Sequence, residues 1–518
     1  MINAKSRYDT LSSERAQYLN VAEEASRLTI PYLIHQDEHI QGMRNLKTPW
    51  QSVGAKGVVT LSAKLMLSLL PPQTSFFKLQ VDEGKLGDYG PEVKSELDLA
   101  FAKIERTILE QIAASSDRVV VHQAMKHLVV AGNALVFMGK KNLKLFPLSR
   151  YVLDRDGNGN VIEIITKERI NKKLIQELVP DLDKNKSTDY GEDKTENCDV
   201  YTHVKVYGNK VVWHQEVYDK IIPKSQGKSP LSATPWLPLR FNTVDGEAYG
   251  RGRVEEFIGD IKSLEALSQA LVEGSAAAAE VVFTVSPSSS TKPQTLAQAG
   301  NGAIIQGRPD DIGVVQVGKT ADFQTAAQMI QQLEKRLSDA FLILSVRQSE
   351  RTTAEEVRMT QMELEQQLGG LFSLLTVEFL VPYLDRKLNV LQRNGTIPRI
   401  PKEYVKPTIV AGINALGRGQ DRESLGMFLQ TIAQTIGPEA IMQFVNPEEV
   451  IKRLAAAGGI DVLNLVKSMQ EIQGEQQQQM QQQMAMQEQQ NAPAMAAVQQ
   501  KQQQAEMQAQ VQMETAQQ

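Results

Sequence analysis

An eight-residue stretch at positions 313–320 has the residue types and spacing of a phosphate-binding loop. It reads GVVQVGKT, which matches G-x-x-x-x-G-K-[ST] and places Lys319 and Thr320 where such loops contact phosphate and magnesium. A phosphate-binding loop needs a flexible turn that wraps backbone amides around the ligand, whereas VVQV is β-branched and alternating, which is typical of a strand. No convincing apolar strand ending in Asp follows to hold magnesium. We therefore predict a strand with a Lys-Thr turn, and keep a nucleotide-binding loop as the alternative.

Two other motifs have the spacing of metal sites. His35, Glu38 and His39 match the inverted zinc-protease pattern H-x-x-E-H, but this polar stretch has weak helical signals and is better explained as a solvated loop. Residues 154–159 open like a calcium loop, yet Ile165 stands where a glutamate should close the metal shell, so a hairpin turn is predicted. No catalytic set stands out beyond these motifs. The sequence predicts no metal, no cofactor and no enzyme.

Composition bounds the class of protein. A chain of 518 residues can hold roughly two to four domains. Its 56 basic and 61 acidic side chains give a net charge of -5, so no global basic field indicates tight nucleic-acid binding. The single cysteine, Cys198, excludes an internal disulfide framework and fits a reducing compartment. The N-terminus is too polar for a signal peptide, and no apolar run approaches the roughly 20 residues of a membrane span. We expect a soluble protein made in a cytoplasm.

Hydrophobic periodicity predicts an α+β fold that is mainly helical. Residues 1–130 are mostly helical by pattern, and a helix within them should end at Pro71 and Pro72. Residues 130–245 change to alternating runs separated by the turns DGNGN and YGNK, which predict β-hairpins. Residues 175–198 are charged and rich in Asn, Asp and Lys, and are expected to form an exposed excursion.

The central region combines two amphipathic helices with a Pro- and Gly-rich strand insert between them. The first helix is expected to continue until Pro287, because proline lacks the amide that a helix interior needs. After a polar loop comes an interrupted helix of roughly 40 residues, or about 60 Å, with Gly369, Gly370 and Pro382 as the interruptions. A single small core cannot cover an apolar stripe of that length. The pattern therefore predicts an oligomer.

The C-terminal part begins with an extended piece at residues 397–411 and a helical section that ends near Lys467. The tail from Gln470 is nearly half glutamine, with Met and Ala interspersed. Because these residues are good helix formers and Pro493 is the only proline, we predict a long helix packed against copies of itself. A disordered tail is the alternative.

Several long blocks of the sequence resemble the head-to-tail connector, or portal, of short-tailed DNA phages, the podoviruses of the autographivirus type. They are spread in order from Thr48 to Asp421, so the resemblance covers most of the chain. The blocks include TPWQSVGAKGVVTLSAKLMLSLLPPQTSFFKL, LVVAGNALVF, DGEAYGRGRVEEFIGDIKSLEALSQALVEG, RTTAEEVRMTQMELEQQLGGLFSLLTVEFLVPYL and GINALGRGQD.

The resemblance implies a conduit without catalysis of its own. The alternative, which rests on the GKT match, is a nucleotide-dependent DNA-packaging enzyme. Such proteins form a ring of about twelve subunits at one vertex of the capsid, through which double-stranded DNA enters and leaves. Implied partners are the large terminase subunit, the tail adaptor, the major capsid and scaffolding proteins and the internal core proteins. The implied location is the virion, with assembly in the host cytoplasm and no membrane association.

The resemblance also implies a division of the chain and a set of site residues. The divisions are a wing (1–258), stem helix one (259–283), a clip (284–321), stem helix two (322–344), a channel loop (345–353), a long wing helix with its return strand (354–411), a crown (412–469) and a helical barrel or tail (470–518). The implied DNA-channel loop residues are Arg347, Gln348, Ser349, Glu350 and Arg351; the channel-lining candidates are Glu334, Lys335 and Asp339; and the clip docking residues are Pro293, Arg308, Asp310 and Asp311.

Overall fold

The computed structural model describes a helix-rich body with several antiparallel sheets. The described residues are 3–35, 46–71, 76–80, 91–140, 142–178, 197–279, 282–300, 302–315, 320–343, 368, 370–398, 408–411, 417–435, 437, 445, 450 and 501–509. The chain divides into two compact units, residues 1–416 and residues 417–518. In the described part of the chain, no helix is long and apolar enough to cross a membrane.

The helices in chain order are α1 (Ala4–Leu28), α2 (Val53–Leu69), α3 (Pro91–Ala114), α4 (Asp117–Ala131), α5 (Lys172–Leu178), α6 (Arg253–Glu256), α7 (Ile258–Ala279), α8 (Pro293–Gln298), α9 (Thr320–Ala340), α10 (Leu371–Leu375), a π turn (Thr376–Leu380), α11 (Val381–Arg393) and α12 (Gly417–Thr435). Residues 501–509 of the glutamine-rich tail are also helical. The first four confirm that residues 1–130 are mostly helical. Helix α1 begins where the Asn3 side chain accepts a hydrogen bond from the Ser6 amide, an N-cap that satisfies a free donor of the first turn.

The strands in chain order are β1 (Phe77–Gln80), β2 (Asn133–Met138), β3 (Leu143–Phe146), β4 (Tyr151–Arg155), β5 (Val161–Asn171), β6 (Asn197–Tyr207), β7 (Lys210–Val217), β8 (Lys220–Ile221), β9 (Gly227–Pro230), β10 (Trp236–Arg240), β11 (Val282–Val285), β12 (Ile312–Val315) and β13 (Thr408–Ala411). Strands β4 to β8 form one antiparallel sheet in chain order, with β9 also paired to β7. Strands β10, β2 and β3 form a second sheet, and the pairs β1–β13 and β11–β12 complete the set. The predicted strand-rich region at 130–245 is confirmed.

The turn at residues 154–159 is a hairpin, as predicted, and not a calcium loop. It joins β4 to β5, and Gly159 has a φ of +82°, which glycine adopts without steric cost. The Asp156 carboxylate accepts hydrogen bonds from the amides of Asn158 and Asn160 within the turn. These bonds lower the pKa of Asp156, the bonds with Asn160 being the main cause. The carboxylate is therefore used in closing the turn.

The main hydrophobic core joins the helices to the smaller sheet. Leu61 and Leu65 of α2, Met125 and Leu128 of α4 and Leu135 of β2 are fully buried in it. Side chains from α7, α9, α10 and α11 enter the same core. A separate small cluster packs the first turns of α1 onto the large sheet through Ala4, Tyr8, Leu11, Val152, Ile165 and Tyr201.

The first central helix is shorter than the sequence predicts. Helix α7 ends at Ala279, and residues 282–285 form β11 instead of continuing the helix to Pro287. Val282 and Val285 are β-branched, and the segment pairs along its whole length with β12. Strand pairing therefore overrides the helical periodicity before the proline is reached.

The predicted long helix is broken at Gly370 but not at Pro382. Gly370 has a φ of +87°, a left-handed conformation that a right-handed helix cannot contain, and α10 begins directly after it. From Leu371 to Arg393 the chain stays helical through the π turn, and Pro382 lies at the start of α11. Proline has no amide hydrogen to donate to the carbonyl four residues earlier, which is that of Glu378. Glu378 lies in the π turn, where hydrogen bonds span five residues instead of four. Residues 354–367 lie outside the described part, so the predicted length of this helix is not tested.

Buried His127 makes folding sensitive to acid. It lies on α4 and is 7% exposed, its Nδ1 has no hydrogen-bond partner, and burial lowers its pKa from 6.5 to about 4. The unfolded chain therefore takes up a proton at a higher pH than the folded chain. The stability from neutral His127 is complete above pH 6.5 and is lost as the pH falls towards 4, by up to about 3 kcal/mol.

We expect His127→Gln to remove the part of the pH dependence of folding stability that His127 causes. Urea unfolding midpoints of both proteins at pH 8 and pH 4.5 measure it, because the contributions of all other titrating groups cancel in the comparison. The wild type should lose clearly more stability than the variant over this interval. Equal losses in the two proteins would contradict the assignment to His127.

Candidate functional site: a helical hairpin and its tip

Helices α7 and α9 pack side by side as an antiparallel pair, which we call the helical hairpin. Gly274 of α7 lies so close to Phe323 of α9 that an added Cβ would be 2.9 Å from the ring. Towards the other end of the pair, Arg336 of α9 donates a hydrogen bond of 2.8 Å to Asp260 of α7. These two contacts place the start of α9 beside the end of α7. The hairpin confirms the two predicted central helices as neighbours.

One end of the helical hairpin is anchored in the body. Ile261 and Leu264 of α7 and Leu337 of α9 are fully buried. Phe341, just beyond α9, packs against Gly57 of α2, where an added Cβ would be 2.7 Å from the ring. Anchoring at this end leaves the rest of the two helices to extend away from the core.

A carboxylate strengthens this anchor at a position that the sequence gives no reason to select. The Glu265 carboxylate of α7 accepts hydrogen bonds from the backbone amides of Trp50 and Gln51, immediately before α2 begins. Lys262, three residues earlier, forms an ion pair of 2.7 Å with Glu24 of α1. Because the hydrogen bonds of Glu265 join positions more than 200 residues apart, no local sequence pattern predicts them.

The opposite half of the helical hairpin exposes apolar side chains. Val272 of α7 is 51% exposed and Met329 of α9 is 49% exposed. Residues 275–278 at the end of α7 are a run of Ser and Ala, most of them exposed. Small side chains let another helix approach the backbone closely, and burying exposed apolar side chains against a neighbour is favourable in free energy.

Beyond the helical hairpin lies the tip, residues 282–315. Strands β11 and β12 pair in register from Val282 opposite Val315 to Val285 opposite Ile312. The Ser286 amide then donates to the Asp311 carbonyl, which continues the pairing by one step. Ser289 adds a side-chain hydrogen bond of 3.1 Å to the Asp311 carboxylate. The tip is therefore tied across its base.

The structure places the four predicted docking residues in the tip. Pro293 is at the first turn of α8, and Arg308 precedes a short 3-10 turn that contains Asp310 and Asp311. Pro293, Arg308 and Asp310 are exposed, and Asp311 is half-buried. Two large apolar residues of the tip, which no pattern in the sequence singles out, are also exposed: Phe283 at 56% and Ile304 completely.

Gly313 of the phosphate-loop motif lies inside a paired strand. It is opposite Thr284, whose hydroxyl donates a hydrogen bond of 3.1 Å to the Gly313 carbonyl. An added Cβ at Gly313 would lie 2.6 Å from that same hydroxyl. A phosphate-binding loop needs this glycine at a flexible turn, so the strand part of the prediction is confirmed. Residues 316–319, with Lys319, lie outside the described residues.

The three channel-lining candidates lie together on α9. Glu334, Lys335 and Asp339 are all exposed, while Leu333 and Leu337 of the same helix are buried. The five predicted loop residues at 347–351 are outside the described part of the chain, as are Glu38 and His39 of the H-x-x-E-H motif. Exposed mixed charge on one helix face can line a water-filled passage without gripping a polyanion.

Comparison with known proteins gives consistent matches along most of the sequence. A family model described as bacteriophage head to tail connecting protein matches residues 2–466. The portal protein of Escherichia phage T7 is 37% identical over 485 residues, which is 91% of this chain and 89% of the relative. The portal protein of Enterobacteria phage T3 is 38% identical over 484 residues with the same coverage, and that of Enterobacteria phage SP6 is 30% identical over 434 residues, 82% of each chain.

Proposed function

Because this chain belongs to the family of bacteriophage head-to-tail connecting proteins, we propose that its copies close into a ring of about twelve subunits around a DNA channel. Its role is that of a podovirus portal, the connector between head and tail. The observation that carries this conclusion is the family match across residues 2–466. The role is structural, and the ring sits in the capsid of the virion at one vertex.

In this proposal the helical hairpin is the stem and its tip is the clip. The wing comprises residues 1–258 and 354–411, and the crown and the glutamine-rich barrel follow from 412 and 470. Support for the stem comes from the exposed Val272 and Met329, which a free monomer would leave in water. A closed ring has heterologous contacts, in which one face of a subunit meets a different face of the next. Neighbouring stems would cover these side chains, and the small residues at 275–278 would allow close approach.

Charge on α9 suits a passage for DNA. Double-stranded DNA carries one phosphate per about 1.7 Å, and each tight cationic contact adds affinity that resists sliding. Glu334 and Asp339 accompany Lys335 on the exposed face of α9. We propose that this face lines the channel and that Arg347 and Arg351 of the following loop touch the DNA weakly.

The tip is proposed to dock the terminase motor during packaging and the tail adaptor afterwards. Its exposed Ile304 and Phe283 provide apolar anchors, and Arg308 with Asp310 provides charged neighbours. Buried apolar anchors with a charged rim are the usual anatomy of a protein interface. Contacts with the major capsid, scaffolding and internal core proteins are proposed for the other parts of the ring.

Shortening the tip tests this assignment. Residues 287–310 would be replaced by a four-residue Gly-Ser linker, which leaves β11 and β12 free to pair. We expect the variant to form rings in negative-stain micrographs and to lose binding of both the motor and the adaptor in pull-down assays. Rings that still bind both partners would refute docking at the tip, and stable wild-type monomers at micromolar concentration would refute the ring.

Lys319→Ala is the matched control, since it changes a residue next to the tip without removing the tip. It should leave ring assembly, partner binding and DNA packaging by a supplied motor intact. Nucleotide binding by wild-type rings that disappears in Lys319→Ala would instead support the nucleotide-dependent enzyme.

A further inference from the structure

We propose that His203, His214 and Glu216 form a binding site for one divalent transition-metal ion, with zinc as the best fit. The three residues lie on the face of the large sheet that the first turns of α1 cover. They are far in sequence from the helical hairpin, so the proposal is independent of the function proposed above. Among the described residues, they bring three metal-binding side chains together.

Strand pairing brings the three side chains to one place. His203 of β6 is directly opposite His214 of β7, and their ring centroids are 5.4 Å apart. Glu216 is two residues beyond His214 on the same strand, so its side chain is on the same face of the sheet. The register of β6 and β7 therefore defines the donor set, and no short sequence motif does.

The distances suit an ion of the size of zinc. One donor atom from each residue lies within 4.8 Å of the other two. The centre of such a triangle is within about 2.8 Å of each donor, and zinc needs about 2.0–2.1 Å to histidine nitrogen and carboxylate oxygen. Each donor must therefore move by less than about 1 Å. The His214 Nε2 and Glu216 Oε1 atoms, now hydrogen-bonded at 2.7 Å, would separate slightly around the ion.

Neighbouring groups hold the donors in place. Glu163 pairs with the Nε2 atom of His203, which would leave Nδ1 of that ring to bind the ion, and the Ala4 amide donates a hydrogen bond of 2.7 Å to the Oε2 atom of Glu216. Outer partners of this kind orient metal ligands and raise affinity.

The surrounding charge favours a cation. Carboxylates of Asp154, Glu163 and Glu216 face two basic side chains: Arg7, bonded to Asp154 and Glu163, and Lys205, which is 3.8 Å from Glu163. Among these five side chains, the carboxylates outnumber the basic groups by one.

The donor types select the metal. Two imidazoles with one carboxylate suit zinc and its neighbours in the first transition row, whereas calcium and magnesium prefer oxygen ligands alone. A water molecule would complete a tetrahedral shell. Because Glu216 also receives the first amide of α1, the bound ion would stiffen the attachment of α1 to the sheet.

The test is a zinc titration of untagged full-length protein, stripped with a chelator and followed by calorimetry and by metal content after dialysis. His214→Gln removes a half-buried ligand, and its amide can keep the hydrogen bond to Glu216. His122→Gln is the matched control because His122 is a half-buried histidine of α4 outside the cluster. We expect about one zinc per subunit in the wild type and the control, and at least about 100-fold weaker binding in His214→Gln, since even outer-shell losses cost 10–100-fold.

Cobalt provides a second readout that does not depend on affinity. Cobalt-loaded wild type should show the visible d–d bands of a four-coordinate site with nitrogen and oxygen donors, and these should change in Glu216→Gln while thermal unfolding shows that this variant is folded. Absence of stoichiometric zinc in the wild type, or equal zinc binding by His214→Gln and His122→Gln, would overturn the proposal.

Discussion

Gly132→Ala is expected to destabilise the fold by at least about 3 kcal/mol, or to prevent recovery of soluble protein. Gly132 ends α4 with a φ of +71°, a conformation that costs other residues about 1–2 kcal/mol. The larger part of the cost is steric. An added Cβ would lie 2.4 Å from the Arg251 carbonyl carbon and 2.6 Å from backbone atoms of Gly250 and Gly252. Backbone atoms cannot rotate away as a side chain can.

Gly208→Ala is the control that separates conformational strain from steric clash. Gly208 also has a positive φ, +54°, in the turn between β6 and β7, but nothing lies within 4 Å of an added Cβ. It should cost only about 1–2 kcal/mol. Chemical unfolding of the two variants beside the wild type measures the difference, and similar losses at both sites would show that the close backbone approach at Gly132 is unimportant.

Lys387→Met is expected to destabilise the protein by about 3 kcal/mol, because it leaves a buried carboxylate without its cation. Asp117, at the start of α4, has a side chain that is 1% exposed. Its Oδ2 atom lies 2.7 Å from the Lys387 ammonium and accepts a hydrogen bond of 2.6 Å from the Tyr383 hydroxyl. Burial raises the pKa of Tyr383 well above its usual value, with Asp117 adding to the effect, so the hydroxyl remains a donor.

The double variant Asp117→Asn/Lys387→Met removes both charges and should recover much of the lost stability. Unfolding curves for the two single variants and the double variant form a thermodynamic cycle that isolates the coupling between the two side chains. A double variant as unstable as the sum of the two single changes would show that Asp117 and Lys387 do not act as a pair.

Connections of this kind tie α10 and α11 to the rest of the body. Besides Asp117, the Glu378 carboxylate of the π turn accepts hydrogen bonds from the Arg240 backbone amide and side chain, at 2.6–2.9 Å. Arg386 of α11 donates a hydrogen bond of 3.2 Å to the Ser229 hydroxyl. These three contacts hold the segment that begins after Gly370, whose own backbone is left-handed.

Features that depend on neighbours in the sequence were predicted correctly. The helical N-terminal part, the hairpin turns at Gly159 and Gly208, the pair of central helices and the strand at Gly313 all follow from periodicity and turn residues. Local signals fail where two of them compete. Residues 282–285 are helical by periodicity and largely β-branched by composition, and only pairing with β12 decides between the two.

The sequence by itself therefore determined the helical and stranded segments, and its long blocks determined the family. Tertiary structure alone decided which side chains meet. Asp117 and Tyr383 are 266 positions apart, Arg240 and Glu378 are 138 apart, and β1 pairs with β13 across more than 300 residues. The histidine pair at 203 and 214 depends on strand register, because a shift of one residue would move one of the two rings to the other face of the sheet. The physical reason is that hydrophobic period and turn chemistry act over a few residues, whereas ion pairs, backbone contacts and metal donors depend on how distant segments pack.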